Sequence, residues 1–218
     1  MLRVVVVFAG QARTWSQTRQ ALYDMFDGQG DIRYIYLSPD ETEYPDIRFA
    51  TPCDKILYPS SCLDKHKAIN DQWAMLELAA RQCENIACDW IIRCRPDLKI
   101  VKQMEHLYDL APDALYFPRH NNWGGLNDRF WFGPKDMMID SFRYYQSAHK
   151  HLRKPINLER LLARHVVVEK KIKVKRTCAI LTPLRADGRL DPIVYRDDRG
   201  DTAPKVEVKQ NETIRSLG

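Results

Sequence analysis

The sequence predicts an α/β protein with a mostly parallel central sheet flanked by helices. Residues 4–8 form a continuous apolar run rich in valine, the pattern of a strand buried on both faces. A predicted helix from about Ser16 to Phe26 and a second predicted strand at 33–37 follow. A strand, a helix and a strand at this spacing indicate a parallel βαβ unit.

The rest of the chain continues this alternation. Apolar residues three or four apart between Asp64 and Cys83 predict an amphipathic helix. The other predicted strands lie at 55–58, 90–92, 114–117, 129–133 and 171–177, and the other helices at about 103–108, 134–149 and 157–167. Alternating strands and helices are typical of helices packed on a mostly parallel sheet.

We expect one domain at 1–184 and a polar tail at 185–218. The tail is rich in turn-forming residues, so we expect it to wrap over the surface or to be partly disordered. A chain of 218 residues can bury a sizeable core without disulfides or a structural metal.

Charge and hydropathy narrow the function classes. The net charge of +5 suits an anionic substrate, but the basic residues are scattered, so we expect no nucleic-acid surface. The apolar run at 4–9 is too short for a transmembrane segment and lacks a signal-peptide pattern. Six cysteines without a C-x-x-C pair favour buried free thiols in a reducing compartment. We therefore expect a cytoplasmic protein.

One polar cluster follows the predicted strand at 90–92, where Arg93, Arg95 and Asp97 alternate. Ligands of open α/β sheets bind beyond the carboxyl ends of the strands, and alternation places the three side chains on one face if the strand continues. Asp97 is a hard oxygen ligand suited to Mg²⁺ or Mn²⁺, and the arginines are suited to phosphate. The alternative is a structural Arg–Asp ion pair at the strand end.

A second cluster follows the first predicted strand. Gly10 lets the backbone approach a ligand closely, and Arg13 has the length and charge to reach a phosphate. Neither the dinucleotide-binding glycine pattern nor a P-loop is present. The alternative is a plain strand-to-helix turn with a surface arginine.

The predicted loop at 119–128 is long and contains amide, aromatic and glycine residues. The ring of Trp123 can stack on a sugar, and Asn127 and Asp128 can bind sugar hydroxyls. Long loops of this kind are often functional. Asp128 is also a candidate base, with a simple turn carboxylate before a strand as the alternative.

Glu159 lies in the first turn of the predicted helix at 157–167. An acidic residue there is favourable against the helix dipole, and Asn157 is a suitable N-cap. From the residues alone, this structural explanation is sufficient. The histidines and serines of the chain form neither an H-E-x-x-H nor a G-x-S-x-G motif, so hydrolase functions gain no support.

Taken in order, three segments resemble the successive motifs of small GT-A glycosyltransferases. They are GQART at 10–14, RCRPD at 93–97 and NDRFWFG at 127–133. The resemblance spans about residues 4–180 and is to transferases of bacterial lipopolysaccharide and capsule synthesis and to capsid-glycan transferases of large algal viruses. It implies a GT-A-like fold, a nucleotide-diphosphate sugar donor, a glycan acceptor and a divalent ion, Mn²⁺ or Mg²⁺.

The resemblance also implies roles for the donor-side residues. Asp97 would be the metal ligand, in an R-x-D motif where the family usually has D-x-D. Gly10, Gln11 and Arg13 would contact the nucleotide. The arginines that precede Asp97 would stabilise the leaving diphosphate.

On the acceptor side, inverting members of the family commonly place the catalytic base at the start of a late helix. Glu159 matches that position, with Asp128 as the rival, whereas a retaining enzyme requires no such base. Two other functions are compatible with the same residues: a non-catalytic carbohydrate-binding module that uses the Trp123 loop, and a nucleotidyltransferase that uses Asp97.

Overall fold

The structure, a computed structural model, describes residues 1–10, 12, 14–38, 53–57, 65–144 and 158–194. Gln11 and Arg13 lie outside the described residues. So do residues 39–52, the end of the predicted 134–149 helix, the predicted N-cap Asn157 and the tail beyond 194.

Nine strands and four α-helices make up the described part of the chain. The strands are β1 (Arg3–Ala9), β2 (Asp31–Ser38), β3 (Cys53–Leu57), β4 (Trp90–Cys94), β5 (Leu98–Lys102), β6 (Leu115–Pro118), β7 (Phe130–Pro134), β8 (Val174–Thr177) and β9 (Ile180–Pro183). The helices are α1 (Trp15–Phe26), α2 (Lys65–Glu84), α3 (Lys135–Phe142) and α4 (Leu158–Ala163). A 3₁₀ turn spans Leu107–Asp109, and a π-helical segment, Arg164–Glu169, extends α4.

Seven of the strands form one sheet in the order β3-β2-β1-β4-β7-β6-β8. Every neighbouring pair is parallel except the two pairs that involve β7, so β7 alone runs against the other six. The predicted α/β fold with a mostly parallel central sheet flanked by helices is confirmed. The strands β5 and β9 form a separate antiparallel pair.

Two apolar cores lie on opposite faces of the sheet, as the continuous apolar runs of β1 and β4 predict. Alternate residues such as Val5, Val7 and Ile91 pack with α2, α3 and α4. Their neighbours Val6 and Ile92 pack on the other face with α1 and the small sheet. Strands buried on both faces need apolar side chains at consecutive positions.

The predicted helix at 103–108 is wrong. An extended strand, β5, precedes it, and only the 3₁₀ turn at Leu107–Asp109 is helical. The cause is long-range: β5 pairs with β9, and Glu105 accepts hydrogen bonds from the Thr177 hydroxyl and from the Cys178 N–H at 2.7 Å. These partners are more than seventy residues away along the chain, so local periodicity does not reveal them.

The sheet topology brings the polar clusters to one edge. From β1 the chain adds β2 and β3 on one side and then returns through α2 to β4 on the other side. The carboxyl ends of β1 and β4 therefore form a topological switch point, where ligands of open α/β sheets bind. Because β7 is antiparallel to β4, with Cys94 opposite Phe130, the loop that enters β7 reaches the same edge.

Residues 185–194 begin with a turn whose ends are joined by a bridge between Leu184 and Leu190. Ile193 and Val194 are buried, and Val194 exchanges backbone and side-chain hydrogen bonds with Asn121 at 2.7 and 2.9 Å. This segment therefore packs against the 120–128 loop. None of the helices in the described ranges has the length and apolar character needed to cross a membrane.

Candidate functional site

Asp97 and Arg95 form an ion pair where the chain leaves β4. Arg95 donates from Nε to Asp97 Oδ1 at 2.9 Å and from its Nη2 to Oδ2, in the bidentate geometry that guanidinium groups also use with phosphate. Asp97 is 8% exposed. Because β4 ends at Cys94 and the chain turns at Pro96, strand alternation does not continue to Asp97. Asp97 meets Arg95 through this turn instead.

Arg93 lies in β4, two residues before Arg95, and is 1% exposed. Its guanidinium donates to the Ala9 carbonyl at 3.3 Å and to the Arg129 carbonyl, and it lies 5.2 Å from the centre of the Trp131 ring. Burial lowers the pKa of Arg93 to about 10, and the charge of Asp128 opposes this shift. Arg93 thus remains a cation at neutral pH and ties the end of β1 to the start of β7.

Gly10 follows β1 with a φ of +137°, a backbone conformation that only glycine adopts readily. A Cβ at this position would lie 3.5 Å from Pro96 Cδ and 3.9 Å from Arg95 Cγ, which is ordinary van der Waals contact. The backbone conformation at position 10, and not a lack of space for a side chain, therefore favours glycine there. The backbone at Gly10 lies directly against the turn that carries Asp97.

The predicted sugar-binding residues have different surroundings. Trp123 is 37% exposed and has a φ of +45°, at the tip of the loop. Asn127 is buried: its Oδ1 accepts from the backbone N–H groups of Arg129 and Phe130 at 2.9 and 3.2 Å, and its Nδ2 donates to the His120 carbonyl at 3.1 Å. Asn127 therefore fixes the loop in place.

Gly125 presses the loop onto the first turn of α4. A Cβ on Gly125 would lie 2.0 Å from the Glu159 carbonyl oxygen and 2.4 Å from the Arg160 nitrogen, both backbone atoms that cannot move aside. The adjacent Leu126 N–H donates to the same carbonyl at 2.9 Å. This close contact holds α4 next to the loop that carries Asp128.

Asp128 and Glu159 form a pair of like charges. Burial and, as the second cause, the negative charge of Asp128 together raise the pKa of Glu159 to about 7, whereas Arg129 acts in the opposite direction. Asp128 is 8% exposed and accepts a hydrogen bond from Gln72 Nε2 at 3.2 Å. The two candidate bases named from the sequence are therefore neighbours in the fold.

Three further charged residues, which the sequence interpretation did not name, lie near these groups. Burial lowers the pKa of Arg129, and Arg95 adds to the shift. Arg185 forms an ion pair with Asp191 at 2.6 Å; that hydrogen bond raises the pKa of Arg185, and the charge of Asp97 contributes. Arg129 adjoins Asp128 and was open to prediction. Arg185 and Asp191 fall in the predicted tail, where no local pattern marks them.

We name the group of Gly10, Arg93, Arg95, Asp97, Asp128, Arg129 and Glu159 the switch-point cluster. In it, cationic side chains and two candidate bases surround the carboxyl ends of β1 and β4. Such an arrangement suits a phosphate-bearing ligand next to a group that accepts a proton.

Among the residues that the structure describes, Asp97 is the one that fits a divalent ion in this cluster. Within the described ranges, no group of three His, Cys, Asp or Glu side chains is close enough to hold a metal, so a metal cage built from those residues does not fit. Asp97 is a single hard oxygen ligand, and Mg²⁺ commonly uses one or two carboxylates together with substrate phosphates and water. Asp97 therefore fits an ion shared with a bound diphosphate.

Comparison with known proteins adds no family to this picture: no protein-family model matches the chain, and a search of curated proteins finds no match.

Proposed function

We propose that this chain is a nucleotide-sugar glycosyltransferase of the GT-A type. It would transfer a sugar from a nucleotide-diphosphate donor to a hydroxyl of a glycan acceptor. The observation that carries the proposal is the switch-point cluster itself, in which Arg129 interacts both with Arg95, the partner of Asp97, and with Glu159, whose pKa is about 7. Binding at a topological switch point is the general rule for open α/β sheets.

The donor side rests on Gly10 and the arginines. Gly10 allows close approach of the backbone to the nucleotide. Arg95 donates two hydrogen bonds to Asp97 from Nε and Nη2, and the same two N–H groups could bind a phosphate. Arg129 adds positive charge to the cluster. Gln11 and Arg13, outside the described residues, complete the proposed nucleotide contacts.

Mn²⁺ or Mg²⁺ would be held by Asp97 together with the diphosphate oxygens. When bound, such an ion neutralises the charge that develops on the leaving diphosphate. Arg95 and the ion would compete for the same carboxylate oxygens. A bound diphosphate resolves this competition, because Arg95 can exchange Asp97 for a phosphate.

Glu159 is the proposed base. The acceptor oxygen attacks the anomeric carbon, the bond from that carbon to the diphosphate oxygen breaks, and the acceptor proton passes to the Glu159 carboxylate. A general base works best when its pKa is close to the working pH, and that of Glu159 is about 7. Attack of this kind inverts the anomeric centre. Asp128 keeps the pKa of Glu159 high and remains the rival base.

Arg93 and Asn127 position the site in this proposal. Arg93 is buried and binds backbone carbonyls, so it supplies positive charge from below the diphosphate. Asn127 holds the loop from which Trp123, with 37% of its surface exposed, would stack on a sugar ring.

A donor panel tests the proposal. The protein is incubated with UDP-, GDP-, ADP- and dTDP-sugars and a mixture of saccharide acceptors, with and without Mn²⁺, and released nucleoside diphosphate is measured. We expect release from one class of donor, accelerated by Mn²⁺ and by acceptor. Pyrophosphate released from a triphosphate would instead indicate a nucleotidyltransferase. Glycan binding that is unaffected both by nucleotides and by the substitution Asp97→Asn would indicate a carbohydrate-binding module.

A further inference from the structure

A cavity of about 310 Å³ lies beside the switch-point cluster and takes no part in the proposed chemistry. It lies at the carboxyl ends of β6 and β8, next to the small β5–β9 sheet. The lining side chains that bear on its chemistry are Lys102, Glu105, Arg119, His120, Arg176 and Cys178.

Three cations line the cavity from three separate elements. Lys102 ends β5, Arg119 follows β6 and Arg176 lies in β8. Arg176 donates to the Pro118 carbonyl at 3.2 Å, which fixes its guanidinium near the base of Arg119. Among the described residues, neither Lys102 nor Arg119 forms an ion pair with a carboxylate. Lys102 and Arg119, which have no carboxylate partner in the described part of the chain, therefore attract an anion.

Glu105 is the one carboxylate among the described residues that line the cavity, and it does not neutralise Lys102 and Arg119. Glu105 binds the Thr177 hydroxyl and the Cys178 N–H, so its oxygens are directed at its own wall. Burial alone would raise the pKa of Glu105, but these hydrogen bonds outweigh it and leave the pKa below its ordinary value. Glu105 is therefore an anion at neutral pH, and its hydrogen bonds are made to Thr177 and Cys178 and not to Lys102 or Arg119.

His120 adds no charge at neutral pH. Burial lowers its pKa to about 4, although a hydrogen bond with the Leu181 carbonyl at 2.8 Å opposes the shift. His120 also joins the cavity to the loop that carries Asp128, because its carbonyl accepts a hydrogen bond from Asn127 at 3.1 Å. The cavity and the proposed acceptor side thus share a wall.

We propose that this cavity binds an anionic group, a phosphate or a carboxylate, carried by the acceptor glycan. Its volume is at the small end of the range for small-molecule sites, enough for a phosphate group or one acidic sugar ring. Arginine and lysine together suit either anion. Anion binding stands without the glycosyltransferase proposal, whereas the assignment of the anion to an acceptor rests on it.

Cys178 provides a direct readout, because it lines the cavity and is exposed, whereas the other three cysteines that the structure describes as free thiols are buried. Iodoacetamide labelling of Cys178 is followed by peptide mass spectrometry in inorganic phosphate, in glucuronate and in neutral glucose, at constant ionic strength. We expect phosphate or glucuronate to slow labelling at least threefold, and glucose to have no effect. The anion that protects identifies the source of the charge.

The matched variants are Lys102→Ala/Arg119→Ala, which removes two exposed cations, and Lys99→Ala, which removes an exposed cation of β5 that does not line the cavity. Labelling with and without anion is compared within each variant, because Lys102 itself acts on the Cys178 thiol. Protection should disappear in the double variant and persist in Lys99→Ala. Protection by glucose, no protection by either anion, or full protection in the double variant would overturn anion binding.

A second measurement separates the two proposals. Once a donor is known, Arg119→Ala should raise the KM for an acidic acceptor about tenfold and leave the KM for a neutral acceptor unchanged. Equal effects on both acceptors would overturn the acceptor assignment. If no donor is consumed but anions still protect Cys178, the glycosyltransferase proposal fails and the anion site stands.

Discussion

Two pairs of charged groups lie at the same edge of the sheet and are held in opposite ways. Asp97 is bound by Arg95 at 2.9 Å, so each charge has its partner. Asp128 and Glu159 are both acidic, and burial together with the Asp128 charge raises the pKa of Glu159 to about 7. The first pair joins opposite charges, whereas the second favours a bound proton on Glu159.

The difference indicates which pair stabilises the fold and which one costs stability. Arg95 and Asp97 carry opposite charges and must separate before either can bind a ligand. Ligand binding therefore has to supply a new partner for each of them. Two acidic side chains such as Asp128 and Glu159 repel each other, so they stay close only where packing holds them together. The close contact of Gly125 with the backbone of α4 does this here. Perturbed carboxylates enforced in this way are characteristic of functional sites.

The largest expected effect comes from Glu159→Gln, which removes the proposed base and keeps the shape of the side chain. We expect the transfer rate to fall about 10²- to 10⁴-fold, the usual range for loss of a general base, with little change in donor KM. Steady-state kinetics at pH 7.5 measure this. The control is Asp128→Asn, which should keep activity but move the acid limb of the pH–rate profile to lower pH, because the like charge is gone. An Asp128→Asn variant that loses as much activity as Glu159→Gln would make Asp128 the base instead.

Gly125→Ala tests how firmly the like pair is enforced. The added methyl group would meet backbone atoms at 2.0 and 2.4 Å, so we expect a loss of about 3 kcal/mol or more in the free energy of unfolding. The control is Gly28→Ala, where φ is +79° but nothing lies within 4 Å, and conformational strain alone should cost about 1 kcal/mol. Urea denaturation measures the free energy of unfolding of both variants. Equal losses would show that the contact of Gly125 with α4 does not contribute to stability.

The difference in stability between Glu159→Gln and the wild type should depend on pH. The folded pKa of Glu159 is about 7 against an ordinary value of 4.5, so folding is disfavoured by the full amount above pH 7, and this penalty disappears as pH falls to 4.5. The shift corresponds to about 3 kcal/mol, which solvent screening of a part-exposed group reduces to about 1–2 kcal/mol. Glutamine has no such penalty. The variant should therefore be more stable than the wild type at pH 8 and equal to it at pH 4.5. A stability difference that does not change with pH would contradict the raised pKa.

A smaller effect should follow Arg95→Gln. If Mn²⁺ and Arg95 compete for Asp97, Mn²⁺ alone should raise the melting temperature of this variant more than that of the wild type, by an amount that reflects a few-fold gain in affinity. The control is Arg3→Gln, which opens the exposed ion pair with Asp89 and should leave the response to Mn²⁺ unchanged. The same response in Arg95→Gln and wild type would show that the metal does not use Asp97.

Much of the fold could be predicted from the sequence because a strand that is buried on both faces of a sheet has apolar side chains at consecutive positions. The runs at 4–8 and 90–92 and the periodicity of α2 each gave an element that the structure confirms. The strands β5 and β9 were missed because their pairing joins residues about eighty positions apart. In the candidate site, residues at strand ends were open to prediction from position alone. The approach of Glu159 to Asp128 was not, since it depends on the contact of Gly125 with α4.

The most direct test of the account is whether a nucleoside diphosphate and a divalent ion bind together at Asp97. Melting temperatures are measured for wild type, Asp97→Asn and the exposed control Asp109→Asn with UDP, GDP, ADP, CDP or dTDP, with Mn²⁺, and with both. We predict that one diphosphate and Mn²⁺ together raise the melting temperature by more than the sum of their separate effects. We also predict that Asp97→Asn alone abolishes the part that depends on the metal. An unchanged metal-dependent shift in Asp97→Asn, or no response of the wild type to any of the five diphosphates, would contradict the account.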